Sequence, residues 1–300
     1  PANLLQLLDE QRTIKSDWVM ACIRAANRIA IRGHRAAEQA FRSGESELGI
    51  HAVYVAACGQ DSEQLPYNSI VGLNEHAAVL HYQHRQAEVP AEHRSFLIDA
   101  GADCYGYAAD ITRTYSMDSG HEYAALIESV DALQQRLSDR MQAGRNYVDL
   151  HLEAHRGVAD ILRSSGICAM SVDAMLESQL TSRFFPHGLG HHLGVQVHDV
   201  AGKVDAAGAA LPPPQEHPFL RLTRELEADN VVTVEPGLYF IPQLLNPLRE
   251  SQIRRQLDWE RIDSLTPFGG IRIEDDVRVG AETAENLTRD AWKSAGDGAS

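Results

Sequence analysis

The chain predicts a mixed α+β fold of two packed α/β halves, and three features of its 300 residues predict it. The order helix, helix, strands occurs twice, at roughly 16–117 and 119–280. Each helical stretch follows a capping residue and stops at a glycine. Lone carboxylates recur inside short, apolar, strand-like runs, as in Phe96-Leu-Ile-Asp99 and Val231-Val-Thr-Val-Glu235. The repeat lies in the architecture and not in residue identity.

Ser16 is a predicted N-cap for a long helix to about Arg42, stopped by Gly44, and Ser46 caps a second that ends near Gly59. Strands are predicted at Ala77 to Tyr82, Ser95 to Asp99 and Gly106 to Tyr115. Ser119 starts the second half with a helix to about Gln142, closed by Gly144, and Asn146 starts another, closed by Gly166. Strands return at Gly194 to His198, Val231 to Glu235 and Gly270 to Val279. Ala201 to Asn230, with its Pro212-Pro-Pro run, and Pro242 to Phe268 break the pattern and read as long insertions. The tail after Ala281 reads as a surface end.

Composition narrows the function. With 42 acidic against 27 basic residues the formal charge is −15, the reverse of the basic footprint that nucleic acids or anionic membranes require. No apolar run approaches the ~20 residues that span a bilayer. The N-terminus has neither a basic region nor a small-residue cleavage site, so no signal peptide is read there. Cys22, Cys58, Cys104 and Cys168 are widely spaced, with no CxxC pair. This points to neither a zinc knuckle nor a disulfide framework, and to a reducing, cytoplasmic setting.

Asp99 and Asp110 carry the most chemistry. Asp103-Cys-Tyr-Gly106 between them reads as a turn, and folding back about it puts Asp99 nearly opposite Asp110. Two anions so close raise each other's pKa unless a cation lies between them, and hard carboxylates suit a divalent metal. The plainer alternative for Asp110 is an ion pair with Arg113. Pro186 to Asp199 holds four histidines threaded with glycines, without the HExxH of a zincin. Glu235 follows four β-branched residues, and Glu274 shares a strand face with Arg272 and Asp276. One histidine and four carboxylates from separate strands match the needs of a two-metal hydrolase.

LIDAGA, YAADITRT, PHGLGHHLG, VHD, EPGLY and GIRIEDD, in this order, resemble the metallopeptidases of the pita-bread fold. Leu80-His-Tyr82, the PHGLGHHLG form, Leu220 to Arg224 and the second insertion are most similar to the bacterial Xaa-Pro dipeptidase branch. The resemblance implies two pseudo-symmetric α/β halves around a curved, mainly antiparallel sheet with a dinuclear metal site. Residues 16–300 would be the catalytic domain, and 1–15 a linker or remnant of an N-terminal domain that the family carries. It implies Asp99 on the first metal, Asp110 and Glu274 bridging both, and His191 and Glu235 completing the second. His191 is singled out over His187 and His192 because the family places this ligand seven residues before the histidine of VHD, here His198.

The activity so implied is hydrolysis of Xaa-Pro dipeptides by a hydroxide held between two divalent ions, in a homodimer. Glu235 would move the proton and His198 would stabilise the oxyanion. His187, Arg224 and His81 would meet the substrate carboxylate, and Tyr67 and Val197 would form a small hydrophobic pocket. Arg272 would orient the proline side or neighbouring carboxylates, with a structural pair to Asp276 as the alternative. Manganese is the expected metal, with cobalt or zinc able to substitute, and organophosphate hydrolysis is an expected side activity. An aminopeptidase P-like release of one residue before proline, and a non-catalytic peptide-binding module, are the rival readings.

Overall fold

The computed structural model describes residues 2–297. Helix α1 (Ala2–Gln11) precedes α2 (Asp17–Arg42) and α3 (Glu47–Cys58). The Ser16 and Ser46 hydroxyls accept from the N–H groups of Val19 and Gly49, which satisfies donors that a helix start leaves open. Gly59, at φ 69°, ends α3 in the left-handed conformation. Strands β1 (Ile70–Leu73), β2 (Ser95–Asp99), β3 (Asp103–Cys104), β4 (Tyr107–Ala108) and β5 (Thr112–Ser116) complete the first half.

Helices α4 (Glu122–Ser138) and α5 (Tyr147–Ser164) open the second half, followed by short α6 (Val172–Glu177) and α7 (Thr181–Phe184). After a long connection come β6 (Val231–Val234) and β7 (Gly237–Tyr239), then α8 (Pro242–Leu245) and α9 (Trp259–Leu265) within the second insertion. Strands β8 (Gly270–Arg272), β9 (Asp275–Arg278) and β10 (Glu285–Asn286) lead into α10 (Leu287–Asp297).

Four expectations need correction. Ala77 to Tyr82 is not a strand. The strand lies earlier, at β1, because Asn74 turns the chain at φ 55° and fixes the turn by donating to Glu92 O and accepting from Arg94 N–H. Gly194 to His198 forms no ladder, since Gly194 N–H donates to Gln196 O and curls the segment into a tight turn. Helix α4 starts at Glu122, with His121 rather than Ser119 near its cap. The tail is no surface end: Leu287, Thr288 and Ala291 are buried, and α10 packs on α2.

Each half has its own apolar core. One gathers Ile31, Phe41, Ile50 and Tyr54 of α2 and α3 with Phe96, Ile98 and Ala291. The larger one gathers Leu126, Val130, Leu150 and Val158 of α4 and α5 with Val232, Val234 and Ile271. Every pairing between named strands is antiparallel: β1-β2-β5, β10-β9-β6, β3-β4 and β7-β8. A bridge between Thr112 and Glu274 joins the halves.

Both halves use one device, an antiparallel pair that kinks midway and then resumes in the same register. In the first, Asp99 pairs with Thr112 and Asp103 with Ala108, while Ala100 N–H donates to Ile111 O and Ala109 N–H to Ala102 O across the kink. Asp110 therefore lies two residues from the position opposite Asp99, as a diagonal neighbour and not a directly facing one. In the second, Val234 pairs with Asp275 and Gly237 with Arg272. That register sets Glu235 against Glu274 inside the kink.

Gly101 is what the first kink cannot do without. A Cβ there would lie 1.8 Å from Ala109 O and 2.8 Å from the Tyr67 ring. A Cβ on Gly106, at φ 83°, would meet nothing within 4 Å, so Gly106→Ala adds only left-handed strain of about 1–2 kcal/mol. Gly101→Ala is expected to lower the urea midpoint further than Gly106→Ala and to abolish divalent-metal binding, which Gly106→Ala leaves intact. Equal effects of the two substitutions would contradict this role for the close approach.

Candidate metal centre

The two kinks aim their carboxylates at His191. Ligand atoms of Asp110, His191 and Glu274 lie within 4.8 Å of one another, all three residues buried. His191 Nε2 is 3.4 Å from Asp110 Oδ2 and 3.8 Å from Glu235 Oε1. Its orientation is set behind the ring: Nδ1–H donates to His192 O at 2.9 Å, and the backbone N–H donates to Thr233 Oγ1. That leaves Nε2 facing the carboxylates, as a ligating histidine is held. Asp99 stands beside this group, gripped by Tyr67, whose O–H donates to Oδ1 at 2.8 Å, and by Arg272 at 2.6 Å from Oδ2. Arg113 does not pair with Asp110; it binds Asp275 at 2.6 Å.

Glu47 shows how this chain satisfies a buried carboxylate that has no cation to serve. It accepts from Leu73 N–H, Gln86 N–H, Tyr82 O–H and His76 Nδ1–H, all between 2.7 and 2.9 Å. Glu274 receives only the Thr112 hydroxyl, at 2.5 Å, and Glu235 has no hydrogen-bond donor among the described residues. Burial pushes Glu235 up to about 7, against the pull of His191 and Arg272. Burial and then the charges of Asp110, Glu235 and Asp99 hold Glu274 well above the usual carboxylate range. Asp99 is also raised, by burial first. Burial pulls Asp110 the same way, but the hydrogen bond and charge of His191 outweigh it and hold Asp110 low. Two glutamates left short of donors, beside Asp99, Asp110 and the free Nε2 of His191, fit a divalent metal centre.

The wall around this cluster is one hydrogen-bonded chain. Arg272 donates to the Tyr239 hydroxyl at 2.7 Å, and Tyr239 O–H donates to His187 Nε2 at 2.9 Å. His187 Nδ1–H donates in turn to Gly188 O and lies 3.6 Å from Glu235 Oε2. Burial, then Arg272, drives His187 down to about 3, so it is a neutral hydrogen-bonding group and not a cation. Arg272 serves Asp99 and not Asp276. His198 is exposed beside the cluster, its ring edge-on to His191 with centroids 4.4 Å apart. Exposed His81 is near enough for its charge to depress both His187 and His198.

Two expected contacts lie elsewhere. Arg224 is buried and fully engaged: its two terminal nitrogens meet Glu10 at 2.9 and 2.8 Å, and one also meets Glu227 at 2.7 Å. Val197 packs against the small cluster of Met20, Ile23, Leu193 and Val231. Tyr67 contributes its hydroxyl to Asp99 more than an apolar wall. Residues not singled out from sequence do much of the positioning. Tyr239 connects Arg272 to His187, and Thr112 and Thr233 hold Glu274 and His191. Arg221, three residues before Arg224, is exposed, has no side-chain partner among the described residues, and acts on His198 by its charge. The signal for it was present in the same Leu220 to Arg224 stretch, but charge alone did not separate a structural arginine from a free one.

The model of metallopeptidase family M24 matches residues 21–281. The chain belongs to that family. It is 49% identical over 296 residues to an Xaa-Pro dipeptidase of Xanthomonas euvesicatoria pv. vesicatoria (strain 85-10), covering 98% of this chain and 67% of that protein. It is 49% identical over 292 residues to an Xaa-Pro dipeptidase of Escherichia coli O7:K1, of which it covers 66%. Among solved structures, E. coli aminopeptidase P with the inhibitor Pro-Leu superposes with a TM-score of 0.74 at 29% identity, over 95% of this chain and 58% of that one. An aminopeptidase P II of Yersinia pestis gives 0.72 at 29%, with 59% of its chain covered. The chain thus spans about two-thirds of its curated relatives and less of the solved structures. The M24 chain has the pita-bread fold, and its family works with divalent metal ions. Among the described residues no helix is long and apolar enough to cross a membrane.

The raised glutamates of the M24 centre set a pH dependence. A carboxyl whose folded pKa is raised binds its proton more tightly when native, so its stabilising effect is complete below the unfolded value near 4.5. It is lost as pH climbs toward the folded value, about 7 for Glu235. In urea titrations of metal-free protein, Glu274→Gln is expected to flatten the fall in stability from pH 5 to 7 relative to wild type. Saturating divalent metal should stabilise wild type by about 2.7 kcal/mol at a hundredfold excess over Kd. Parallel pH slopes for the two proteins would show that Glu274 carries no such strain.

Proposed function

We propose that this chain hydrolyses Xaa-Pro dipeptides and releases proline. The carrying observation is the convergence of Asp99, Asp110, His191, Glu235 and Glu274 in a chain half identical to curated Xaa-Pro dipeptidases. Identity to aminopeptidase P is lower, at 29%, which favours the dipeptidase over the aminopeptidase reading. The gathered donors argue against a purely peptide-binding module.

Asp110, Glu274, His191, Glu235 and Asp99 would hold two divalent ions, and one imidazole with four carboxylates favours manganese, with cobalt or zinc able to replace it. When bound, such ions supply Lewis-acid polarisation of the scissile carbonyl and make a water acidic enough to attack near neutral pH. Glu235 would hold the proton lost from that water and return it to the departing proline nitrogen. Exposed His198 is set to hydrogen-bond the oxygen on which negative charge develops. The neutral His187, fixed by Gly188 and Tyr239, adds no net charge and shapes the wall beside Glu235.

Recognition of a free carboxylate then falls to Arg221. Its guanidinium has no side-chain partner among the described residues and its charge is felt at His198, whereas Arg224 is spent on Glu10 and Glu227. A dipeptide places its carboxylate one residue from the scissile bond, so a fixed cation there selects for length.

Metal-stripped protein reconstituted with Mn²⁺ is expected to cleave Ala-Pro and to leave Ala-Pro-Ala intact. Preferential cleavage of the tripeptide would replace the dipeptidase reading with the aminopeptidase one. Glu235→Gln should abolish turnover, while Arg221→Ala should raise KM by ~10- to 100-fold, the loss of a charged hydrogen bond. Arg224→Ala should lower Tm with a smaller effect on KM. The reverse pattern for the two arginines would reassign the carboxylate contact.

A further inference from the structure

A second group of histidines lies apart from the M24 centre. Helix α5 presents His151 and His155 one turn apart on one face. His217 approaches them from the long connection between α7 and β6. The three rings stand 4.5–4.6 Å apart between centroids, and a ring nitrogen from each falls within 4.8 Å of the other two.

What marks this group is the absence of partners. His151 is 1% exposed and His155 2%, yet neither nitrogen of His151 and not Nε2 of His155 has a hydrogen-bond partner. Buried polar atoms are nearly always paired, so three orphans at one point require a cause. A core histidine kept for packing would pair at least one nitrogen, as His34 does with Ala100 O at 2.9 Å. His155 Nδ1 lies 2.9 Å from Thr181 Oγ1, an outer hydrogen bond that directs Nε2 into the group. Burial and the neighbouring imidazoles hold His151 near 2 and His155 near 3, and burial lowers His217 as well. All three are therefore neutral in the physiological range, and neutral imidazole is the ligating form.

We propose that His151, His155 and His217 form a second metal site that takes one borderline transition-metal ion, such as Zn²⁺, on three imidazole nitrogens. Ligands at i and i+4 of one helix plus a third from a loop give three corners of a tetrahedron. The fourth faces a cavity of about 180 Å³, where Glu216 stands next to His217. Imidazoles without carboxylates select zinc, cobalt, nickel or copper over manganese, magnesium or calcium, so this site and the carboxylate centre prefer different ions. The ion would pin the loop bearing His217, and Arg221 four residues later, onto α5. Phe185 lies between this site and the substrate side, its ring 4.9 Å from His155 and 4.8 Å from His187.

The test uses the full chain, stripped and titrated with Zn²⁺ or Co²⁺. A variant with Asp110→Asn and Glu274→Gln disables the carboxylate centre, so ions that remain report the histidines independently of the peptidase reading. That variant is expected to keep one Zn²⁺ per chain and to give the intense visible bands of tetrahedral Co²⁺. Adding His217→Ala, a half-exposed position, should remove both the ion and the bands. His217→Ala in the otherwise native chain should lower the Zn²⁺ count by one and restore protease cleavage at 211–222 that Zn²⁺ suppresses. A folded double variant that binds no Zn²⁺, or retention of the ion and bands through both His217→Ala and His155→Ala, would overturn the site.

Discussion

Four carboxylates crowded around one imidazole are the constraint on which the rest of this structure depends. Their mutual repulsion in a dry interior opposes folding, so rigid backbone must hold them where a cation can reach all of them. The two kinked hairpins supply that rigidity. Arg113 ties them together by donating to the carbonyls of Thr112 and Glu274 and pairing with Asp275. Asp275 is shared with Arg289, which carries the tie into α10. Asp276 accepts from Asp110 N–H and from Asn27 on α2. Burial, then the Asp110 charge, hold Asp276 well above the usual carboxylate range.

The halves solve one geometric problem with different side chains. In the first, the kink is formed by a glycine pressed against a backbone oxygen, and short aspartates suffice because the backbone itself comes close. In the second, Glu235 and Glu274 face each other across two-residue breaks and need the longer side chain to reach His191. His191 comes from neither hairpin. It is held against β6 by a bridge between His192 and Val232 and by Thr233, so the site draws on three chain segments whose order in sequence hides their proximity.

Much of this was legible because it rests on local chemistry. Ser16, Ser46 and Asn146 cap helices, and Asp99, Asp110, Glu235 and Glu274 stood out as carboxylates inside apolar runs. Ala77 to Tyr82 misled because alternating apolar residues look the same in a strand and in a buried turn, and only the partners of Asn74 decide between them. Gly194 to His198 misled for a related reason, since glycine permits a strand without favouring one. The difference between Arg221 and Arg224 lies in the position of Glu10, more than two hundred residues away. Nothing local to Leu220-Arg-Leu-Thr-Arg224 distinguishes the two guanidiniums. The C-terminal helix was missed because its anchoring residues, Leu287, Thr288 and Ala291, are few and bury against α2, not against their sequence neighbours.

The histidines show how a second nitrogen decides what the first can do. Burial is the first cause that drives His34, His151, His155 and His187 to the neutral form, yet their roles diverge with their partners. His34 spends a nitrogen on Ala100 O and becomes a strut between α2 and the aspartate hairpin. His187 has both nitrogens engaged, by Gly188 and Tyr239, and is therefore fixed in tautomer and cannot become a ligand without breaking that chain. His191 spends Nδ1 on a carbonyl and keeps Nε2 for the carboxylate centre, where acidic neighbours pull its affinity for positive charge upward despite burial. His151 spends neither. Hydrogen bonding thus separates strut, orienting group and ligand among residues that composition treats as equal, and a buried imidazole with both nitrogens unspent is the one whose chemistry the fold has left for a ligand.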